Sequence, residues 1–397
     1  MEQRPLPHRI LVVDDEPDLE SLISQRFRKR IRSEELSFVF AGHGEEALTK
    51  LREHQDIGIV LSDINMPVMD GLTLLGRLRE GHPMVRSVIV SAYGDMQNIR
   101  TALNRGAFDF VTKPIDFQDL EITLDKAIQD SVLRKQAARD RDHLLGMEHE
   151  LDLARGMQES LVPTVFPEHA RFEVFGSMVP ATQVGGDLYD FFLLDGNRLA
   201  FSLGDVSGKG IAAALFMAVS RTVLRVSAGK GLSPEECLRE TNAFLCHEKT
   251  NAMFLTCFYG ILDLNTGKLE YSRAAHNIPY VVRANPLAHG GRAIENLDQA
   301  GGLPLALFDF AAYDLGTVQL DPGDCLVVFT DGITEAMNSA YETYDEVRLE
   351  ALLKQLPALL PMREVVQTVI SGAQAFANGM PPSDDMTVLG IRYLGQG

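Results

Sequence analysis

Aspartates account for most of the chemistry open to this chain, and they fall into two sets. In the N-terminal third, Asp14 and Asp15 follow the apolar run Ile10 to Val13, and Asp63 follows Ile57 to Ser62. Ser91 closes the run that begins at Val88, and Lys113-Pro114 follows Phe108 to Val111. Three carboxylates around a hard cation suit Mg2+, which takes oxygen ligands in an octahedron. Screened by that cation and by the Lys113 ammonium, the Asp63 carboxylate could attack a phosphoryl donor as a nucleophile. An isolated Asp-Asp pair is commonly a turn or a helix cap. The coincidence of these residue types at successive strand ends is what points to a site.

The second set lies further along, in GGDLYD, GDVSGKG, TDGITEA and SDDMT, which supply Asp187, Asp205, Asp331 and Asp384. Each sits beside a strand-like run. If the four segments converge, their carboxylates repel one another unless cations neutralise them. Two divalent metals about 3.5–4 Å apart can bind and deprotonate a water and polarise a phosphoryl oxygen. An all-oxygen donor set without a His/Cys cluster favours Mg2+ or Mn2+ over Zn2+. GDVSGKG has the look of a phosphate loop, but it lacks the Walker spacing and a hydroxyl residue after Lys209, so nucleotide binding is rejected there. Gly185 and Gly186 provide for close backbone approach beside Asp187. His276, in AAHNIPY, reads as structural in preference to a general acid.

The elements that must position these residues follow from periodicity. Over the first set, five short apolar runs (10–13, 38–41, 57–62, 88–91, 108–111) alternate with five amphipathic stretches. This predicts an α/β domain with a doubly wound, parallel five-stranded sheet, whose ligands bind at the carboxyl ends of the strands. From about 117 to 161 the pattern is continuous helix. Leu144, Met147, Leu151, Ala154 and Leu161 recur at spacings of three and four, with Gln158 at an expected apolar position. That spacing predicts a short helical coiled-coil linker that makes a homodimer, its polar residue setting the register. Pro163 ends the helix. Beyond it, strand-like runs mix with paired helical stretches, including 211–227 and 363–377, which predicts an α/β layered sandwich. The expected boundaries are 8–128, 129–162 and 163–395.

The bulk composition excludes several classes. With 397 residues and a formal net charge of -18, the chain has no general affinity for nucleic acid or anionic membrane. The main basic run, Arg26 to Arg32, reads as a solvated helix end. Four scattered cysteines without a C-x-x-C pair suit a reducing compartment. The N-terminus lacks a secretory pattern, and the apolar run Ile211 to Val219 is too short to span a bilayer. A soluble, cytoplasmic protein is expected.

Over about residues 8–130, the segments LVVDDEP, LSDINMPVMDG, SAYGD and FDFVTKP resemble the receiver domain of two-component response regulators. The resemblance implies that Asp63 is the phosphoacceptor and a sensor histidine kinase the phosphodonor. It implies that Asp15, Asp63 and the backbone carbonyl of Asn65 hold Mg2+, with Asp14 acting through water. Ser91 and Lys113 would contact the phosphoryl oxygens, and Phe110 stands at the aromatic switch position.

Over about residues 150–395, ELDLARGMQESLVP, VGGDLYDFF, GDVSGKGIAAALFMA, AAHNIPY, GGLPLALF, FTDGITEAMN and SDDMTVLGIR are similar to the PPM metal-dependent protein phosphatases, in their SpoIIE/RsbU-like bacterial branch. By that resemblance Asp187 binds a first Mn2+ or Mg2+, Asp205 bridges two, the Val206 carbonyl adds a ligand, and Asp331 and Asp384 bind the second. Asp384 is preferred to Asp385 because the family ligand begins its D-x-M-T motif. Ala275 stands where the family usually has Gly. The implied function is a response regulator whose phosphorylation controls a metal-dependent serine/threonine phosphatase acting on a phosphorylated STAS-domain anti-sigma antagonist. The alternative is a non-catalytic, phosphatase-like adaptor for a sigma factor or anti-sigma partner. In the expected coupling, phosphorylation alters the face near Phe110 and then the linker, which repositions the helix after Asp205.

Overall fold

The computed structural model describes residues 7–92, 95–247, 253–289 and 293–395. The chain divides into two compact units, Met1–Met147 and Glu148–Gly397.

The first unit runs β1 (His8–Val13), α1 (Asp18–Arg26), α2 (Arg28–Arg32), β2 (Leu36–Ala41), α3 (Gly44–Glu53), β3 (Ile57–Asp63), α4 (Gly71–Gly81), β4 (Arg86–Ala92), α5 (Met96–Asn104), β5 (Asp109–Lys113) and the start of α6 (Phe117–Leu161). The strands form one sheet in the order β2-β1-β3-β4-β5, all paired parallel. Side chains alternate across a strand, so Ile10 and Val12 pack with Ile23, Leu120 and Leu124 on one face. Leu11 and Val13 pack with Leu51, Leu74 and Leu78 on the other. With helices on both faces, the central strands are continuous apolar runs, and every residue of β3 is buried. Parallel pairing puts the carboxyl ends of β1, β3, β4 and β5 on one edge.

One expected helix is two here. The first amphipathic stretch, after β1, breaks at Phe27, whose ring is buried in the core. The basic run is also partnered more than a solvated helix end would be. Arg30 pairs with Glu35, Glu121 and Asp125, and Arg26 with Glu121.

The second unit continues with β6 (Phe172–Val179), β7 (Leu188–Asp195), β8 (Arg198–Val206), α7 (Ile211–Ala228), α8 (Pro234–His247), β9 (Leu255–Asp263), β10 (Lys268–Ala274), β11 (Tyr280–Val282), β12 (Ile294–Asn296), β13 (Gly316–Gln319), β14 (Cys325–Phe329), α9 (Asp331–Thr334), α10 (Asp345–Gln355), α11 (Met362–Ala377) and β15 (Met386–Tyr393). Two antiparallel five-stranded sheets result, ordered β13-β10-β9-β8-β7 and β12-β11-β14-β15-β6. Leu199, Phe201 and Leu203 of β8 meet Leu326, Val328, Leu389 and Ile391 of the other sheet in a shared core. The alternate face of the first sheet takes Met217 of α7 and Leu238 of α8. The alternate face of the second takes Leu349 of α10 and Val366 and Val369 of α11. Both faces of β14 are therefore buried, which explains its unbroken sequence CLVVF.

By length and composition α7 could cross a membrane. In the fold it packs Ala213, Met217 and Leu224 onto the sheet, and its Arg221 and Arg225 both reach the buried Asp190, at 3.1 and 3.0 Å.

Candidate active site

Each sheet of the second unit delivers two aspartates to the same end. Asp187 immediately precedes β7 and Asp205 lies near the end of β8. Leu188 pairs with Gly204, so the two carboxylates fall at one level. On the other sheet, Asp331 opens α9 directly after β14 and Asp384 lies just ahead of β15; Phe329 pairs with Val388. The four segments that the sequence singled out thus converge where the two sheets meet.

Asp187 is buried. Its Oδ2 accepts hydrogen bonds from the hydroxyls of Thr330, at 2.9 Å, and Thr387. Neighbouring Asp385 has a different environment from Asp384. It is buried, and its Oδ1 accepts from the Ala181 amide while its Oδ2 accepts from the Gly186 amide, both at 2.8 Å. Both of its oxygens are spent tying the 181–187 loop to β15. Gly185 is required there because a Cβ would come within 2.0 Å of Asp385 Oδ2. Gly332 is required for the same kind of reason, since its Cβ would fall 2.0 Å from the Asp385 carbonyl. Asp384 keeps its Oδ2 facing outward, 3.2 Å from Lys209 Nζ.

The electrostatics are those of crowded anions. Burial, then Asp205 and Asp385, push the Asp187 pKa well up against the two threonine donors. Burial, then Asp331 and Asp384, raise Asp205 to about 7. Asp331 is raised by burial, Glu335 and Asp384, and its buried Oδ1 has no hydrogen-bond partner among the described residues. An orphaned carboxylate oxygen beside others that resist ionisation fits divalent cations well. Asp187, Asp205, the Val206 carbonyl, Asp331 and Asp384 are the oxygens that could hold them. The Val206 carbonyl lies against Gly186, where a Cβ would approach it to 2.8 Å. His276 is buried, its ring bonded to Thr256 at 2.9 Å. Burial and Arg273 push its pKa down to about 3, so it stays neutral.

Sequence reasoning missed three supports of this site. Thr330 and Thr387 orient Asp187, and their only signal was their position beside the FTDG and DDMT motifs. The three- and four-residue spacing puts Gln158 in a helical seam. Instead it is buried and bonds both polar groups of the Gly185 peptide. Leu144 and Met147 of the expected seam are exposed.

In the first unit, Lys113 Nζ lies 3.0 Å from Asp14, 2.9 Å from Glu16 and 2.8 Å from Asp63. Burial acts to lower its pKa, but the Asp63, Glu16 and Asp14 carboxylates outweigh it and hold the ammonium above its ordinary value. Burial raises Asp14. Asp14, Glu16 and Asp63 converge closely enough to hold a cation. The sequence reading named Asp15, which is exposed and outside that cluster. The reason is a local turn, in which Asp14 Oδ1 accepts the Glu16 amide at 2.9 Å and Glu16 turns back toward Lys113. The Asn65 amide lies 3.5 Å from Asp63 Oδ1. Ser91 is fully buried, its hydroxyl unpartnered among the described residues. Phe110 packs half-buried against the cluster of Ile64, Leu75, Ile89 and Ala102.

Comparison with known proteins matches residues 195–394 to the Stage II sporulation protein E (SpoIIE) family. The chain belongs to that family. Residues 10–125 match the response regulator receiver domain, so the chain joins an N-terminal receiver to a C-terminal SpoIIE-type domain of the PPM class. Among its relatives, Protein IcfG of Synechocystis is 26% identical over 270 residues, covering 61% of this chain and 41% of that protein. Phosphoserine phosphatase RsbU of Bacillus subtilis is 27% identical over 225 residues, covering 55% of this chain and 64% of that protein. The chain thus spans less than two thirds of either relative. The SiaA-PP2C domain of Pseudomonas aeruginosa has the same fold as the second unit, with a TM-score of 0.55 and 20% identity over 63% of this chain and 98% of that one.

Proposed function

We propose that the chain is a cytosolic response regulator in which a phosphoryl group on Asp63, donated by a sensor histidine kinase, controls a metal-dependent protein serine/threonine phosphatase. The observation that carries this reading is the convergence of Asp187, Asp205, Asp331 and Asp384, two from each sheet, with the ionisation of Asp187, Asp205 and Asp331 opposed by burial and by neighbouring carboxylates. In this reading residues 8–128 receive the signal, 129–162 form the linker of a homodimer, and 163–395 carry out hydrolysis.

Two divalent ions, Mn2+ or Mg2+, held there supply a water nucleophile at neutral pH and Lewis acidity toward the phosphoryl oxygens. The residues of the chain set the geometry. Asp187 is oriented by Thr330 and Thr387, Asp205 stands between the two sheets' aspartates, and Asp331 and Asp384 complete the far side. In the receiver, this reading makes Asp63 the nucleophile toward the phosphodonor; Lys113 and Ser91 would contact the phosphoryl oxygens, Asp63, Asp15 and the Asn65 carbonyl would hold Mg2+ with Asp14 assisting, and Phe110 would serve the switch. The substrate fitting the SpoIIE family and the RsbU likeness is a phosphoserine or phosphothreonine on a STAS-domain anti-sigma antagonist.

The test is hydrolysis of a phosphorylated STAS-domain protein and of a chromogenic phosphoester by the full chain with Mn2+. Turnover abolished by a chelator and by Asp205→Asn supports the proposal. Turnover indifferent to both overturns it.

A further inference from the structure

The loop between β8 and α7 places a lysine where a cation belongs. Lys209 Nζ lies 3.2 Å from Asp384 Oδ2 and also donates to the Ser383 carbonyl. Its charge acts on Asp331 as well. Asp331 and Asp384 are the two carboxylates assigned above to the second metal, and Asp331 Oδ1 is buried without a hydrogen-bond partner among the described residues. The ammonium is close enough to relieve their repulsion but leaves that oxygen unfilled. It is not locked in place: the Lys209 side chain is 45% exposed and that of Asp384 36%. Gly208 and Gly210, on either side, have φ values of 94° and 79°. No neighbour would obstruct a Cβ at either position, so these glycines serve the backbone path of the loop.

We propose that Lys209 is a tethered counter-ion that holds the place of the second divalent cation between Asp331 and Asp384, so that this cation binds only by displacing it. This rests on the metal-dependent reading above and deepens it. Among the described residues no Lys or Arg pairs with Asp187 or Asp205, so the first cation meets no such competitor there. The second site is therefore the weaker one and the point at which activity is set. Lys209 stands two residues before Ile211, the start of α7, so displacing the ammonium and shifting the first turn of α7 are linked events.

The test is Mn2+ titration of the full chain by calorimetry and by electron paramagnetic resonance of free Mn2+, in an Asp63→Asn background that disables the receiver's cation site. Lys209→Met is expected to tighten the weaker site of the second unit about fivefold, the scale of a partly exposed ion pair, and to leave the tighter site unchanged. Lys209→Arg, which keeps the charge, is expected to remain weak. In chelator, Lys209→Met should melt below the parent, and that difference should vanish in an Asp384→Asn background. If Lys209→Met does not fold, Lys209→Gln serves the same comparison. Two filled sites with an unchanged or looser weak site in the uncharged variant overturn this proposal alone. No Mn2+ binding to the second unit of the parent overturns the metal reading, and this proposal with it.

Discussion

Gln158 and Gly185 exchange two hydrogen bonds: Nε2 donates to the Gly185 carbonyl at 2.7 Å, and the Gly185 amide donates to Oε1 at 3.0 Å. Gln158 is 5% exposed near the end of α6, and Gly185 leads through Gly186 into Asp187. The end of the linker helix therefore grips the loop that aims a candidate metal ligand. Gln158→Ala leaves both groups of a buried peptide unpaired, a cost of about 1–3 kcal/mol. It is expected to lower the melting temperature of the second unit and to flatten the difference in phosphatase rate with and without a small-molecule phosphodonor. A variant that keeps the full response would place the coupling elsewhere.

Asp384 and Asp385 are adjacent yet should fail differently. Asp384→Asn removes a carboxylate that faces outward to Lys209, so the metal-free fold should be nearly unchanged while Mn2+ affinity falls. Asp385→Ala strips the acceptor from the amides of Ala181 and Gly186 and should cost about 2–5 kcal/mol of stability. Urea unfolding in chelator separates the two. Equal stability losses would contradict the division of roles.

The carboxylate sets were legible because strand periodicity marks where a β-run ends, and in both units the candidate residues lie at such ends. The parallel sheet of the first unit and the layered sandwich of the second followed from the same alternation. The roles of Asp385, Thr330, Thr387 and Gln158 were not legible, because each acts through contacts across long sequence separations. Gln158 is 27 residues from its partner, and its polar side chain at an apolar spacing read as a seam because nothing local announces a bond to a distant peptide. The approach of Glu16 to Lys113 depends on a turn one residue long, below the resolution of periodicity. In sequence Lys209 shows only the look of a nucleotide loop, since its proximity to Asp384 arises from tertiary folding.

Glu16 predicts a graded effect in the receiver. It is one of three carboxylates on Lys113 but is largely exposed, so its contribution is modest. Glu16→Gln is expected to weaken Mg2+ binding about two- to fivefold while phosphorylation of Asp63 persists at saturating Mg2+. Phos-tag gel shift against Mg2+ concentration reads this directly. Complete loss of phosphorylation would give Glu16 an essential role instead.

Ala275 occupies a left-handed backbone conformation, φ 50°, and is exposed. An L-residue there costs about 1–2 kcal/mol, of which glycine's extra unfolded-state freedom would return about 0.5–1 kcal/mol. Ala275→Gly should therefore stabilise the second unit by roughly 0.5–1 kcal/mol, seen as a higher urea midpoint at unchanged slope. A lower midpoint would show that the methyl group makes a stabilising contact.

Asp205 makes the stability of the second unit depend on pH in a direction that metal reverses. Burial and then the Asp331 and Asp384 charges raise its pKa from 3.8 to about 7. The folded protein then holds a proton that the unfolded chain has lost, so this contribution to stability is fully present below 3.8 and is lost as pH rises through about 7. Asp187 and Asp331, also raised, act in the same sense. Divalent cations bind the deprotonated carboxylates and release protons, so their stabilisation grows over the same interval. In chelator the melting temperature should fall as pH rises from about 4 to about 7, and with excess Mn2+ it should hold or rise. Asp205→Asn should flatten the chelator curve. If the parent and Asp205→Asn show the same pH slope without metal, Asp205 does not hold the proton that its burial among carboxylates implies.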